Sequence, residues 1–543
     1  MSSPASAIDR LVFALALGVA LAVLLPGIAS PVGYPDMWMH LAAGEAILQD
    51  GGLPALDGYA HTAEGRPWVL HSWASELGML GVHRLAGLGG LRCLLVGLLL
   101  AGGVAYCALF RGLGYAWPLA LAGAWGVQAL AVDRIRLRPE LVSYLLFPIL
   151  ILALERWRAQ GRGWSCWMAL ALGCTALWSN FHPGVLTVPV LAGLLWVAPY
   201  LLRWGEGLLR RDPELLRWEP GPLTGGLPWE APLLLAGATL LNPYGWGLYV
   251  YAAEVSSHGK FVSEWYPAWI NFASPPRWGM ALAPFVALLG VGHQLIWGQR
   301  EASSRAWLLP ALACIGLAFL RVRLLYLLFV PFATCLPLAW RQPRRSLRLG
   351  ACGLLLACAQ LLAVHHHGIS FVLSNPGVSV RPDQPHAAQS LLRALDLPLR
   401  LWHPASWGSY LSFRLGLEPA VKIFADGRLG LYSVALLEDQ LWLEGPFAPG
   451  ETAKLAQRDA LLERYGVEAV LDRRGHFVAS SEWFWAYASP QAEVFLHHER
   501  GAAAVALTLE TYRDLGVDLP PELPAAEASA RIRAFLEQAT PGD

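Results

Sequence analysis

The sequence predicts a polytopic α-helical membrane protein with about eleven transmembrane helices and a small α/β domain outside the cytoplasm at its C-terminal end. Three observations predict it. Only 15% of the 543 residues are charged, where soluble domains carry about 25%. Long apolar runs recur, with a mean hydropathy of +0.42. Arginines gather in alternate connections between those runs, and the composition turns to that of a soluble domain near Gly368.

A helix needs ~20 apolar residues to cross the hydrocarbon core. Candidate spans centre in Leu11–Leu25, Leu88–Phe110, Ala116–Val132, Leu141–Leu154, Trp164–Trp178 and Val185–Leu202. They continue in Ala231–Leu241, Met280–Trp297, Trp307–Leu320, Leu324–Trp340 and Leu349–Val364. Arg10 before the first run, with Ile28-Ala29-Ser30 after it, could also make a signal peptide; a retained first helix is the preferred reading. The domain boundaries then fall at residues 1–367 for the membrane domain, with a long first outer loop at 31–87, and 368–543 for the soluble domain.

Orientation follows from the excess of basic residues in cytoplasmic loops. With the N-terminus cytoplasmic, inside connections hold Arg111, then Arg156, Arg158 and Arg162, then Arg203, Arg210, Arg211 and Arg217. Arg300 and Arg305, then Arg341, Arg344, Arg345 and Arg348, complete the inside set and leave the C-terminal domain outside. Forty basic residues balance forty acidic ones, which argues against a nucleic-acid partner. The eight cysteines all lie in or beside apolar runs and read as small buried residues rather than a disulfide framework.

Two arginine groups fall on the outer side. Arg134, Arg136 and Arg138 share one segment, and Arg321 and Arg323 sit at a junction of two spans. They can snorkel to headgroups or pair with Asp133 and Glu140. They can equally hold an anionic ligand such as a lipid phosphate, whose oxygens suit a guanidinium fork.

The first outer loop is rich in tryptophan, histidine and acidic residues. It opens Pro35-Asp36-Met37-Trp38-Met39-His40, and His61, Arg66, Trp68, His71, Trp73 and Glu76 follow. Asp36 and His40 stand four apart, on one face of a helix. Asp36 can cap that helix, act as a general base on an acceptor hydroxyl, or hold a divalent metal. No third ligand is legible for the metal, and no cofactor is specified. Polar and aromatic breaks also occur at Trp178-Ser-Asn-Phe-His182-Pro-Gly184, Asn242-Pro-Tyr-Gly245 and Ser263-Glu264-Trp265. Their convergence on the outer side would form a cavity at the outer leaflet. His365-His366-His367 reads as an interfacial run.

In the soluble part, Arg400–His403, Ala420–Phe424 and Val467–Leu471 read as strands. A short helix opens at Trp407, another runs from Leu455 to Tyr465 with Gly466 closing it, and a tail helix covers Ala526–Gln538. Glu493–Leu507 reads as a strand hairpin turning at Arg500-Gly501. These elements imply a small sheet of mixed direction. Asp426-Gly427-Arg428 follows a strand end, where either a ligand or a plain β-turn fits.

The opening Pro35-Asp-Met-Trp-Met-His40 with Gly44-Glu45 resembles that of bacterial multi-pass proteins of the GT-C glycosyltransferase superfamily, the RgtA/B/C/D-like group. Gly65-Arg66-Pro67-Trp68, Arg138-Pro139, Trp178–His182, Asn242–Gly245, Ser263–Trp265, Trp407–Tyr410 and Asp426–Arg428 continue the resemblance in order. Met39 replaces a second aromatic, and no second acidic residue stands beside Asp36.

The resemblance implies a glycosyltransferase of the bacterial inner membrane, moving a sugar from a polyprenyl-phosphate donor to a lipid or glycan acceptor of the envelope at the outer face. It implies Asp36 as the catalytic residue. It leaves His40, Arg66, His71, Arg134, Arg136, Arg138, His182, Glu264, Arg321 and Arg323 as candidates for substrate binding. The alternative is a non-catalytic protein that binds a lipid-linked glycan or scaffolds envelope assembly on the same fold.

Overall fold

The computed structural model describes residues 7–29, 35–130, 136–161, 163–211, 226–261, 266–267, 269–270, 278–297, 306–321, 327, 330, 334, 383–417 and 421–539. The chain divides into two compact units. One comprises Met1–Pro31 with His71–Gly377, the other Val32–Leu70 with Val378–Asp543.

The first unit is helical. Its described helices are α1 (Ala7–Ala29), α3 (Trp73–Gly112), α4 (Trp117–Leu130), α5 (Glu140–Gln160), α6 (Cys166–Trp178) and α7 (Thr187–Arg210). Shorter pieces follow as α8 (Glu230–Thr239), α9 (Gly247–Ser256), α10 (Trp278–Trp297) and α11 (Leu308–Leu320). Helix α3 packs on α4 and α5, α1 on α4, α6 on α5 and α8, and α11 on α7 and α10. Trp157, Trp178, Phe147 and Leu150 fill the interior. Leu17, Leu21, Val104, Val190, Leu233 and Leu289 point outward and are exposed. An apolar exterior around an apolar core suits hydrocarbon rather than water. Among the described residues, Trp73–Gly112 and Pro183–Gly205 are long and apolar enough to cross a membrane.

Helix α3 is two helices in one. Gly87 takes φ +57° inside it, beside Ala86, so an N-terminal piece from Trp73 ends where the apolar piece begins. Only glycine adopts that φ at little cost. This puts the break at the start of the span expected over Leu88–Phe110. At the far end of α5, Arg158 is buried against Glu155 at 2.6 Å, and the Trp307 indole N–H donates to the same carboxylate at 2.6 Å. The expected spans Leu324–Trp340 and Leu349–Val364, and the triple histidine, lie outside the described residues, apart from Leu327, Val330 and Thr334. Five cysteines are described, all as free thiols; Cys107, Cys174 and Cys314 are buried as expected, whereas Cys93 and Cys166 are exposed. Those two correct the expectation of burial. Lying in or beside an apolar run identifies a cysteine's neighbours in sequence but not the helix face it occupies.

The second unit holds helix α2 (Pro35–Asp50) and a five-stranded sheet. After α12 (His386–Leu395) come β1 (Leu399–Trp402), α13 (Ala405–Leu415), β2 (Val421–Lys422), α14 (Val434–Leu443) and α15 (Thr452–Arg464). Strands β3 (Ala469–Arg473), β4 (Trp483–Ala488) and β5 (Ala492–His497), then helices α16 (Ala502–Asp514) and α17 (Ala525–Ala539), complete it. The strand order is β2-β1-β3-β5-β4, with β1 parallel to β2 and β3, and β5 antiparallel to β3 and β4. The mixed direction agrees with the sequence reading.

The hairpin expected across Arg500-Gly501 is not there. The real hairpin joins β4 to β5 one turn earlier, and Ala502–Asp514 is helical. The run Ala-Ala-Ala-Val-Ala-Leu after Gly501 favours helix strongly. The aromatic run Trp483-Phe-Trp-Ala-Tyr is the better strand former.

Residues 32–70 of the first outer loop are part of this unit. Helix α2 lies on α13. Residues 59–61 add a short parallel bridge to the sheet beyond β2: Ile423 N–H donates to Tyr59 O at 2.9 Å, and His61 N–H to Ile423 O at 3.0 Å. The sheet edge is thereby covered by chain from the opposite end of the sequence.

Candidate functional site

Asp36 lies inside the first turn of α2, one residue after its first residue, Pro35. It is therefore not the cap residue, although an acid there still favours the positive helix end. His40, one turn on, is buried on the same helix. Trp38 anchors the helix, stacking on Phe413 and meeting Tyr410 edge-on, both at 5.4 Å between ring centres.

The loop after β2 comes directly against this turn. A Cβ placed on Gly427 would lie 3.2 Å from Met39 Sδ, 3.3 Å from Ser409 Oγ and 3.8 Å from Asp36 Oδ1. Glycine at 427 thus lets the backbone approach the acid. Its N–H donates to Ser409 Oγ at 3.3 Å.

On either side of Gly427 stands a buried ion network. The Arg428 guanidinium donates through Nε to both Asp426 oxygens at 2.9 Å and through Nη1 to Asp57. Asp426 also accepts from Ser412 Oγ at 2.9 Å and from the Tyr432 hydroxyl at 3.1 Å. Asp57 caps its own turn, accepting from the N–H groups of Tyr59 and Ala60 at 3.3 and 2.9 Å. The rings of Tyr59 and Trp68 cover Arg428, with centres 5.1 and 4.6 Å from Cζ.

Burial alone would raise the Asp426 carboxyl; the Arg428 guanidinium outweighs it and holds that carboxyl below its ordinary range. Burial likewise opposes the charge on Arg428, and the two carboxylates keep it well above its ordinary value. Asp57, Asp426, Arg428 and Tyr432 were not singled out together from the sequence. Asp57-Gly58 and Asp426-Gly427-Arg428 each carry an ordinary turn signal, and only folding reveals that one arginine serves both.

Nearby, His61 packs edge-on against Phe424. Burial pushes its imidazole down to about 3, and the Arg400 charge adds to the effect. Burial also lowers His403. Arg66 is exposed and donates from Nη1 to Leu431 O at 3.1 Å.

In the first unit two of the polar breaks, at Trp178–Gly184 and Asn242–Gly245, come together with the start of α3; the Ser263–Trp265 break lies outside the described residues. Trp73 Nε1 donates to Asn180 Oδ1 at 3.1 Å, and Ser75 Oγ to Phe181 O at 3.0 Å. Asn180 Nδ2 donates to Leu241 O at 2.8 Å, beside the Asn242–Gly245 break. His182 Nδ1 lies 2.8 Å from Ser143 Oγ, which also accepts from Trp178 Nε1 at 2.8 Å. His71 stacks on Tyr251 at 4.8 Å. Arg136 and Arg138 are half-buried in an irregular segment before α5, and Arg321 is exposed at the C-terminal end of α11.

Asp36, His40 and Arg66 thus belong to the second unit, and His71, Arg136, Arg138, His182 and Arg321 to the first. Arg134, Glu264 and Arg323 lie outside the described residues. Among the described residues no group of three His, Cys, Asp or Glu side chains could hold a metal ion, so Asp36 and His40 gain no third ligand there.

No family model matches the sequence, and no curated protein matches it. Among solved structures, the chain is similar to the apo crystal structure of the Archaeoglobus fulgidus oligosaccharyltransferase, with 12% identity and a TM-score of 0.52 over 85% of this chain and 69% of that one. It also aligns with apo ArnT from Cupriavidus metallidurans, at 14% identity and a TM-score of 0.36 over 89% of this chain and 97% of that one. The structure of that ArnT bound to undecaprenyl phosphate aligns at 13% identity and 0.32 over the same shares. A helix-rich chain with a small mixed sheet, superposing on the oligosaccharyltransferase over most of its length, has the GT-C-like fold.

Proposed function

We propose that this protein is an inverting glycosyltransferase of a bacterial inner membrane, taking a sugar from a polyprenyl-phosphate donor to an envelope acceptor at the outer face. The observation that carries the proposal is Asp36, an acid fixed at the start of α2 against the Gly427 backbone, on a GT-C-like fold. Its N-terminus is cytoplasmic and its second unit extracytoplasmic, a reading supported by the arginines in alternate connections.

In the reaction, an acceptor hydroxyl gives its proton to the Asp36 carboxylate. Its oxygen attacks the anomeric carbon, and the bond from that carbon to the phosphate oxygen breaks. The polyprenyl phosphate leaves with the electron pair, and Arg136, Arg138 and Arg323 stabilise the charge developing on it. His40, Arg66, His71, Arg134, His182, Glu264 and Arg321 serve substrate binding.

Asp36→Asn keeps the shape and removes the base. General-base catalysis is worth about 100- to 10,000-fold, so transfer to a lipid acceptor in purified protein should fall by at least that lower bound while the thermal melt is unchanged. Turnover at the parent rate would refute the assignment. Attachment of a membrane-impermeant thiol reagent to a cysteine placed at exposed Glu522 tests the sidedness: labelling in intact spheroplasts is expected, and labelling only after lysis would reverse it.

A further inference from the structure

The second unit carries a cleft that the proposed transfer site does not use. It has a volume of about 270 Å³ and lies where the C-terminal end of α2 meets the C-terminal turns of α12 and α13. That is near the lower end of the ~300–1,000 Å³ typical of small-molecule sites. Glu45 and Gln49, one turn apart on α2, line one side; Arg393 and Arg414, from the last turns of α12 and α13, line it as well. The Tyr59 and Phe413 rings supply flat apolar surface.

These walls are held from behind. Phe413 stacks on buried Trp38. Tyr59 donates its hydroxyl proton to Ala42 O at 2.7 Å, with Arg428 over its ring. Arg414 Nε donates to the buried Gln389 Oε1 at 3.4 Å. Two cations face one carboxylate, so the cleft carries a net positive charge. A guanidinium fork matches a carboxylate. The amide and carboxylate of Gln49 and Glu45 suit hydroxyl groups, and the aromatic faces suit the C–H face of a pyranose ring.

We propose that this cleft binds an acidic sugar of the glycan acceptor. The inference rests on the reading of the protein as a glycosyltransferase, and its test does not measure transfer. The full-length protein in detergent is titrated calorimetrically with a tetrasaccharide of alternating glucuronic acid and N-acetylglucosamine, with neutral chitotetraose, and with inorganic phosphate. Saturable binding of the acidic tetrasaccharide, at least about tenfold tighter than chitotetraose, is expected. Arg393→Glu combined with Arg414→Gln should abolish it with the fold intact by circular dichroism. Glu45→Gln removes the opposing charge and should strengthen binding about threefold, which keeps the test readable if the double variant misfolds.

Equal affinity for chitotetraose, displacement of the acidic sugar by equimolar phosphate, or indifference to all three substitutions would overturn the proposal. Asp36→Asn should leave this affinity unchanged, so a failed transfer assay and a failed cleft give different results.

Discussion

Arg428 is the residue on which the second unit turns. It is buried with two carboxylates and two aromatic rings around it. Replacing one member of such a pair strands the other charge in a poor solvent, which costs roughly 3–5 kcal/mol. Arg428→Met should therefore lower the melting transition of the second unit sharply, read by intrinsic tryptophan fluorescence. Lysine at 428 should recover little, since one ammonium cannot span both Asp57 and Asp426 in a fork. Gly427→Ala asks a different question. The added methyl meets flexible Met39 and the Ser409 hydroxyl, so stability should change little while the spacing to Asp36 changes, and a loss of transfer without loss of fold is the expected signature.

Histidine sets the pH response at the same scale. His61 folds with an imidazole lowered to about 3 from its ordinary 6.5. Between those values the unfolded chain binds a proton that the folded one refuses, so acid favours unfolding. Stability should thus fall as pH drops below about 6.5 and level off near 3 for this group. His403 shifts in the same direction and adds to the slope. Asp426 shifts low, so its stabilising contribution is present above the ordinary carboxylate range and is lost only as pH falls through its lowered value. Urea titrations at stepped pH should show the His61→Phe variant with a flatter loss between pH 6.5 and 4.

At the scale of elements, α2 and α13 form the joint that seats Asp36. Trp38 is 3% exposed and carries most of the aromatic contact between them. Trp38→Ala should cost about 3–5 kcal/mol, and limited proteolysis should then cut within residues 51–58 at concentrations that leave the parent intact. Elements were legible where one pattern dominated locally. The apolar runs gave the span over α3, and Gly466, at φ +62°, marked the end of α15. The expected hairpin over Glu493–Leu507 matched β5 in its first half and missed the helix in its second, because an alanine-rich stretch with scattered valine and leucine carries both helix and strand signals; β4 went unread in a tryptophan-rich run that also suits an interface. The partner of Asp57 was illegible in principle, because an Asp-Gly turn looks the same with or without a distant arginine.

For the whole molecule, residues 32–70 and the chain from 378 onward form one compact unit. That union was beyond sequence reading because hydrophobic periodicity reports neighbours in helix and strand, not contacts across hundreds of residues. The helix-rich, apolar character of the first unit, by contrast, was written in bulk composition and in the recurring apolar runs.

The bridge of residues 59–61 to Ile423 has a consequence for biosynthesis. Thr62 and Phe424, hydrogen-bonded in the finished protein, are 362 positions apart. At ~5–20 residues per second of translation, roughly twenty to seventy seconds pass between synthesis of the early segment and synthesis of its partner strand. During that interval Asp57 has no guanidinium to meet and Trp38 no ring to stack on. The acid at position 36 meets the backbone it lies against only once Gly427 has been made.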